Sequence, residues 1–106
     1  MFGLFNKNSG KFINVNDIDN LIDKIDLIDI REPFEYRRGS IKSAKNIPMG
    51  ELLEDPNKYL EKDKEYHIIC QSGGRSHRAC SELTRLGYNV INVAGGVGSY
   101  SGSRRK

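Results

Sequence analysis

The stretch EYHIICQSGGRSHRACSELTRLGY, residues 65–88, decides the fold. Its opening run YHIIC is almost continuously apolar, which is typical of a parallel strand that helices cover on both faces. A tight Gly-Gly loop follows Cys70, and HRACSELTRLGY (77–88) then shows the apolar spacing of a helix that Gly87 can end. The stretch therefore predicts a strand, a short loop and a helix, with a thiol at the end of the strand.

The helix of this stretch is expected to begin near Ser76 and to bury one apolar side. Ala79, Leu83 and Leu86 recur at helical spacing on that side, and Cys80 lies beside them. We therefore predict that Cys80 is a core residue and not a resolving thiol.

Two βα units precede this stretch. Residues 11–15 (KFINV) predict a short strand, after which Asp17 is placed to cap a helix. The apolar residues of that helix are Ile18, Leu21, Ile22 and Ile25. LIDI (27–30) predicts a second strand, and the short helix PFEYRRG then begins at Pro33 and is closed by Gly39.

The remaining segments continue the alternation of strands and helices. Residues 44–48 (AKNIP) predict a third strand, and Pro56 separates two short helices because proline interrupts a helix. NVINV (89–93) is the last predicted strand. Alternating strands and helices imply a doubly wound α/β domain with a parallel sheet, in which ligands bind beyond the carboxyl ends of the strands. Cys70 lies at one of these ends.

The length of the chain predicts one domain, and its charge gives no indication of nucleic-acid binding. The 106 residues suit one compact domain, for which we expect a partly flexible N-terminal extension at 1–10, a body at 11–100 and a basic flexible tail at 101–106. The formal net charge of +3 comes from the last three residues, Arg104 to Lys106, so we expect a solvated end and no nucleic-acid surface.

The sequence also predicts a compartment. No apolar run approaches the ~18–20 residues that span a bilayer, and the opening MFGLF is too short for stable membrane insertion. Two cysteines and no signal peptide predict free thiols and a cytoplasmic location.

The loop after Cys70 suits a reactive thiol. The thiolate is the nucleophilic form of cysteine, and its pKa falls near cations and helix N-termini. Gly73 and Gly74 can turn consecutive backbone N–H groups inward to form an anion nest, and Arg75 adds a charge. We therefore predict a lowered pKa for Cys70, the alternative being a buried cysteine beside an ordinary tight turn. His77 follows on the first helical turn and is expected to be solvated.

Loop length separates two kinds of cysteine chemistry. Cysteine phosphatases and the related arsenate reductases resemble this arrangement but use C-x5-R, whose longer loop holds a tetrahedral phosphate. Four residues separate Cys70 from Arg75 here: Gln71, Ser72, Gly73 and Gly74. The smaller loop fits one added sulfur atom better than a phosphoryl group, so phosphatase or arsenate reductase activity is the less favoured alternative.

Three separated motifs together resemble a known family. With the CxxGxRS pattern of Cys70, Gly73, Arg75 and Ser76, the chain resembles a single-domain rhodanese, which is a sulfurtransferase. LIDIREPFEYRRGSIKSAKNIP (27–48) resembles the signature of the family's second strand, through these residues: Asp29, Arg31, Glu32, Glu35, Gly39, Ser40, Ile41, Ala44, Asn46, Ile47 and Pro48. LGYNVINVAGG (86–96) resembles its last strand and turn, so the likeness covers roughly residues 12–100.

The resemblance implies a rhodanese-like α/β fold, a doubly wound five-stranded parallel sheet flanked by helices, and a persulfide on Cys70. The sulfur donor would be thiosulfate, glutathione persulfide or a polysulfide, and the acceptor would be cyanide or a thiol such as glutathione, thioredoxin or a protein thiol. The sequence has no metal-ligand spacing and no cofactor motif beyond the loop, so we expect no metal and no cofactor.

The resemblance also assigns roles within the site. Backbone amides of the loop would hold the persulfide anion, with Arg75 supporting the loop or the donor's charge; the loop residues are Gln71, Ser72, Gly73, Gly74 and Ser76. Asp29 and Arg31 would shape the site or receive substrate, or form only a structural salt bridge.

The chain departs from the family pattern at several positions. Gln71 and Ser72 stand where thiosulfate-using members often carry basic residues, so a preference for dianionic thiosulfate is not implied. Ser40 replaces a frequent histidine, and Tyr100 stands where tryptophan is common. A further alternative is a rhodanese-like module that binds a protein partner without chemistry, although such modules usually lose the cysteine that this chain keeps.

Overall fold

Five strands form one parallel sheet in the computed structural model, which describes residues 10–106. The strands are β1 (Lys11–Asn14), β2 (Leu27–Asp29), β3 (Lys45–Asn46), β4 (Glu65–Ile69) and β5 (Asn89–Ala94). Their order across the sheet is β1-β5-β4-β2-β3, and every pair is parallel. This confirms the predicted five-stranded parallel sheet flanked by helices. Residues 1–9, most of the predicted N-terminal extension, lie outside the described residues.

Helices follow the strands along the chain. They are α1 (Pro33–Arg37), α2 (Met49–Glu54) and α3 (Gly74–Arg85), with 3-10 helices at Val15–Asn20, Pro56–Lys58 and Val97–Ser99. Pro33 begins α1, and Pro56 begins the separate 3-10 helix after α2, as the sequence predicted. None of the helices in the described part of the chain has the length and apolar character needed to cross a membrane.

The central strand β4 has a separate core on each face. Ile68 is fully buried in one core with Leu52 of α2 and Leu83 of α3. Ile69 points the other way and packs in a second core with Ile18 and Val93. Because neighbouring residues of a strand point to opposite faces, the continuous apolar run of β4 supplies both cores.

The first helix differs from the prediction. It is a 3-10 helix that begins at Val15, and the Asn14 side chain caps it by accepting a hydrogen bond from Asn16 N at 2.8 Å. A 3-10 helix places residues i and i+3 on one side, so Val15 and Ile18 are the residues it buries. The prediction that Asp17 caps this helix was wrong, because the chain turns three residues earlier.

Several other boundaries also differ from the prediction. β3 contains two residues where the sequence predicted five at 44–48. α3 begins at Gly74, earlier than predicted, and it buries Ala79, Cys80 and Leu83. The prediction that Leu86 joins this buried side was wrong: α3 ends at Arg85, and Leu86 is 37% exposed.

The C-terminal residues pack against the domain, where the sequence predicted a flexible tail. Arg105 forms an antiparallel bridge with Ile41, and Lys42 N donates to the Arg104 carbonyl at 2.6 Å. The Arg105 guanidinium donates to the carbonyls of Val97 and Tyr100 at 3.1 and 2.8 Å. Ile41 and Lys42 lie far from the tail along the sequence, so charge composition alone did not reveal these contacts and suggested a solvated end.

His67 is a buried histidine in β4. It is 4% exposed, and its Nδ1 atom has no hydrogen-bond partner among residues 10–106. Burial lowers the pKa of His67; the Glu65 carboxylate opposes this effect and Lys11 adds to it. The folded protein therefore favours the neutral imidazole.

We predict that His67 makes folding sensitive to mild acid. Because its folded pKa lies below the ordinary value of 6.5, its contribution to stability is complete above about that pH and is lost as the pH falls through the folded pKa. One such site changes the free energy of unfolding by at most about 1.4 kcal/mol per pH unit. Urea unfolding from pH 8 to 5 measures the slope, which His67→Phe should reduce.

The control is His77→Gln, since His77 is the chain's other histidine and is exposed. It should keep the wild-type profile. An unchanged slope in His67→Phe would contradict the assignment to His67.

Candidate active site

Cys70 lies directly after β4, at the carboxyl end of the sheet, and is 1% exposed. Three residues lead from it to α3, and Gly73 completes the turn with a φ of +104°, a region that side chains disfavour. A Cβ atom at Gly73 would also lie 3.2 Å from Gly95 N. Glycine at this position therefore lets the loop curl back over the sulfur.

Donors from the loop and from the first turn of α3 converge on the Cys70 sulfur. Gly73 N donates to Sγ at 3.1 Å and Ser76 N at 3.3 Å. The thiol can itself donate to Ser76 Oγ at 3.3 Å, and that hydroxyl donates to the Gly73 carbonyl at 3.2 Å. Once the thiol is ionised, the Ser76 hydroxyl can turn its hydrogen to the sulfur. The sequence prediction named the backbone amides but not this hydroxyl.

These donors set the direction of the Cys70 pKa. Burial by itself raises the pKa of the thiol, because the charged form loses water. The hydrogen bonds of Ser76, from its hydroxyl and its amide, and those of the Gly73 and Ser72 amides outweigh burial, so the pKa of Cys70 lies below its ordinary value. The site therefore favours an anion on this sulfur.

Cys80 has the opposite surroundings. It is 4% exposed and belongs to the core beneath α3. Burial, with a smaller effect of Cys70, raises the pKa of Cys80 to about 12. A thiol with this pKa is almost entirely protonated near neutral pH, so the two cysteines of the chain have pKa values shifted in opposite directions.

Arg75 turns away from the sulfur and pairs with Glu35 of α1. Its two terminal nitrogens donate to the two carboxylate oxygens, each at 2.9 Å. The hydrogen bonds from Arg75 lower the pKa of Glu35 to about 2 against burial, and Glu35 also accepts from Glu32 N at the start of α1. Arg75 was predicted to support either the loop or the charge of the donor, and in the structure its guanidinium ties the loop to α1.

Glu35 was missed as a site residue. It stands in the sequence motif at 27–48, but no local pattern connects it with Arg75, which lies 40 residues away.

Asp29 and Arg31 form a buried ion pair below the loop. They are 0% and 3% exposed, and Arg31 donates to the Asp29 carboxylate at 2.8–3.1 Å. The same guanidinium donates to Gln71 Oε1 at 3.0 Å and to the Gly39 carbonyl at 2.8 Å. Ser40 adds a hydrogen bond to Asp29 at 2.7 Å. The pair therefore holds the loop in shape, and burial leaves no face of Arg31 open to a substrate.

A glycine turn after β5 closes the other side of the loop. Val97 N donates to the Cys70 carbonyl and Gly98 N to the Gln71 carbonyl, each at 2.9 Å. A Cβ atom at Gly96 would lie 2.5 Å from the Cys70 carbonyl oxygen, so only glycine allows this approach. The turn was noted as a motif in the sequence, but its contact with the loop was not predicted.

The outer residues of the loop are open to solvent. Gln71, Ser72 and Gly74 are exposed, and so is His77, as the sequence predicted. A cleft of about 290 Å³ lies near the start of β2, and another of about 540 Å³ lies along α2. Neither is lined by a residue of the Cys70 loop. The hydrogen-bond donors around the Cys70 sulfur, and not the size of a cavity, therefore identify this site.

Comparison with known proteins finds one family across most of the chain. A family model described as "Rhodanese-like domain" matches residues 14–103. The chain is 42% identical over 79 residues to the protein YtwF of Bacillus subtilis (strain 168), covering 74% of this chain and 76% of that protein. It is 39% identical over 92 residues to a protein of Allochromatium vinosum named "Sulfurtransferase", covering 78% and 85% of the two chains.

A solved structure has the same fold. The rhodanese-related protein of Thermoplasma volcanium aligns with a TM-score of 0.76 at 42% identity. The alignment covers 85% of this chain and 89% of that one. The likeness therefore extends over most of this chain and most of that one.

We predict that Ser76→Ala weakens the activation of Cys70. A hydrogen bond to a charged group contributes about 1.5 kcal/mol or more, which corresponds to roughly tenfold in the thiolate fraction. Alkylation of Cys70 by iodoacetamide below its pKa should slow by about that factor. The exposed Ser81 of the same helix supplies the control, and Ser81→Ala should leave the rate unchanged. Equal rates in wild type and Ser76→Ala would refute the role of the hydroxyl.

We predict that Glu35→Gln destabilises the domain by about 1 kcal/mol, since it removes a bidentate ion pair that is only partly exposed. Because the pKa of Glu35 is about 2 in the folded protein, the difference from wild type should shrink as the pH falls from about 4.5 towards 2. Urea unfolding measures both effects. Glu82→Gln breaks the more exposed pair with Arg85, which solvent screens, and should have a clearly smaller effect on stability; equal losses would contradict this view of Glu35.

Proposed function

The chain belongs to the rhodanese-like family, and from this premise we propose that it is a sulfurtransferase that carries sulfane sulfur on Cys70. The observation that carries the proposal is the convergence of Gly73 N, Ser76 N and the Ser76 hydroxyl on one buried sulfur. A relative named as a sulfurtransferase supports the same reaction class. The donors that favour a thiolate would equally stabilise the negative charge of a persulfide.

The reaction has two steps. The Cys70 thiolate attacks the outer sulfur of the donor, an S–S bond forms on Cys70, and the donor's own S–S bond breaks. Its electron pair leaves with sulfite when the donor is thiosulfate, or with the glutathione thiolate when the donor is glutathione persulfide. An acceptor thiolate or cyanide then attacks the outer sulfur of the Cys70 persulfide, and Cys70 leaves as the thiolate that begins the next cycle.

Persulfides and polysulfides suit this loop better than thiosulfate. The exposed loop residues Gln71 and Ser72 are uncharged, and the two arginines that belong to the loop or contact it are already paired, Arg75 with Glu35 and Arg31 with Asp29. A dianionic donor would therefore find no unpaired cation within the loop. The free thiols of the chain suit a reducing compartment, and we propose the cytoplasm as the place of the reaction.

The alternatives predict different behaviour from the same cysteine. A binding module needs no ionised thiol, whereas here burial of the sulfur is outweighed by hydrogen bonds. A phosphatase needs a loop wide enough for a tetrahedral phosphate, and the four-residue spacing is shorter than C-x5-R. Sulfur transfer uses both features of this site, the activated thiol and the short loop.

We predict that the protein gains one sulfur atom, about 32 Da by atomic mass, when it is incubated with glutathione persulfide, and less with thiosulfate. Intact-mass spectrometry measures the gain, which should vanish on adding glutathione and in Cys70→Ser. Cys80→Ser is the matched control and should load normally, because Cys80 is protonated and buried. No gain in wild type from either donor would sink the proposal. Cys70-dependent hydrolysis of a phosphate ester in its place would favour a phosphatase.

A further inference from the structure

The fold brings two basic segments of the chain together. Ile41 and Arg105 form an antiparallel bridge, Lys42 N donates to the Arg104 carbonyl at 2.6 Å, and Lys106 N donates to the Ser40 carbonyl at 3.1 Å. The end of α1 and the C-terminus therefore form one surface. We call it the basic face, and its cations are Arg37, Arg38, Lys42, Arg104, Arg105 and Lys106.

Most of these cations have no carboxylate partner among residues 10–106. Arg37, Arg38 and Lys42 are exposed and form no salt bridge with any residue from 10 to 106. Arg105 is hydrogen-bonded to neutral carbonyls, and Lys106 donates to the Ala44 carbonyl. Arg104 is the exception, since it pairs with Asp23 at 3.2 Å. The basic face thus carries several positive charges that the described chain does not neutralise.

The basic face borders the Cys70 loop. Arg38 follows Glu35 by one helical turn, and Glu35 holds Arg75 of the loop. Gly39, next to Arg38, accepts from Arg31, which also holds Gln71. A partner seated on this face would therefore lie beside the residue directly after Cys70.

An aromatic residue completes the surface. Phe34 is 54% exposed on α1, and the Arg38 guanidinium lies 5.9 Å from the centre of its ring. Arginine and aromatic residues are enriched where proteins bind proteins. Exposed apolar area beside positive charge suits a folded protein surface better than a small anion.

We propose that the basic face receives an acidic protein surface that presents its cysteine thiol to the Cys70 persulfide. This rests on the proposed function and names its acceptor class. The acceptor thiolate attacks the outer sulfur, a new S–S bond forms on the acceptor, and Cys70 leaves as the thiolate. Positive charge beside the loop speeds encounter with an acidic partner and slows it with a basic one.

Matched peptides test this acceptor class. One peptide carries glutamates on both sides of a single cysteine, the second carries lysines at the same positions, and glutathione is the reference acceptor that is too small to cover the basic face. The rate of sulfur loss from preloaded protein is measured at low salt and at about 0.5 M salt, where exposed charges are screened. We expect the acidic peptide to react at least about tenfold faster than the basic one at low salt, with the advantage lost at high salt.

Charge reversal locates the effect. Arg37→Glu, Arg38→Glu and Lys42→Glu combined should abolish the preference for the acidic peptide and leave transfer to glutathione within about twofold. The control reverses three other exposed lysines, Lys58, Lys62 and Lys64, which lie outside the basic face, and it should retain the preference. Equal rates for both peptides, or equal losses in both triple variants, would overturn the proposal.

Binding without chemistry separates this inference from the proposed function. Fluorescence anisotropy of the same peptides with cysteine replaced by serine should show tighter binding of the acidic peptide to the wild-type protein, whether or not Cys70 loads with sulfur. Absence of loading would overturn the sulfurtransferase alone. Absence of acidic-peptide binding would overturn the acceptor surface alone. Single-stranded RNA that binds more tightly than the acidic peptide, through the same three residues, would replace the protein partner with RNA.

Discussion

The buried guanidinium of Arg31 is the charge around which the site is assembled. A buried charge is tolerated only when a counter-ion and hydrogen-bond acceptors surround it. Asp29 provides the carboxylate, while Gly39 and Gln71 accept the remaining hydrogen bonds. The end of β2, the segment after α1 and the start of the Cys70 loop must therefore meet at one cation. Displacing any of these three segments would leave part of a buried charge unsatisfied.

Charged groups and neutral groups have different roles at the site: the charged groups fix the loop, and the neutral groups bind the sulfur. Arg31 and Arg75 both bind carboxylates and fix the loop from below and from the side of α1. The hydrogen bonds that reach the sulfur come from Gly73 and Ser76, which are uncharged. Neutral donors can stabilise a thiolate in one half of the cycle and a persulfide anion in the other. Neither anion forms an ion pair with a fixed cation, so no ion pair has to break when the sulfur is transferred.

The basic residues of the C-terminus have a structural role that only the tertiary structure shows. As sequence, Arg104 to Lys106 is a short basic end after a Ser-Gly-Ser segment. In the fold, Arg105 binds the carbonyls of the turn whose amides hold Cys70 and Gln71, so a surface cation also supports the loop. The same pairing brings the tail beside Lys42 and concentrates positive charge at one edge of the site.

The sequence by itself determined the alternation of strands and helices, the buried β4, and the position of Cys70 at a strand end before a glycine turn. These features depend on apolar spacing and glycine conformation, which act over a few neighbouring residues. Tertiary structure alone decided the pairs Glu35–Arg75 and Arg31–Gln71, each separated by 40 residues, and the docking of the tail. No local pattern encodes such pairs, because contacts between distant residues exist only after the sheet has packed.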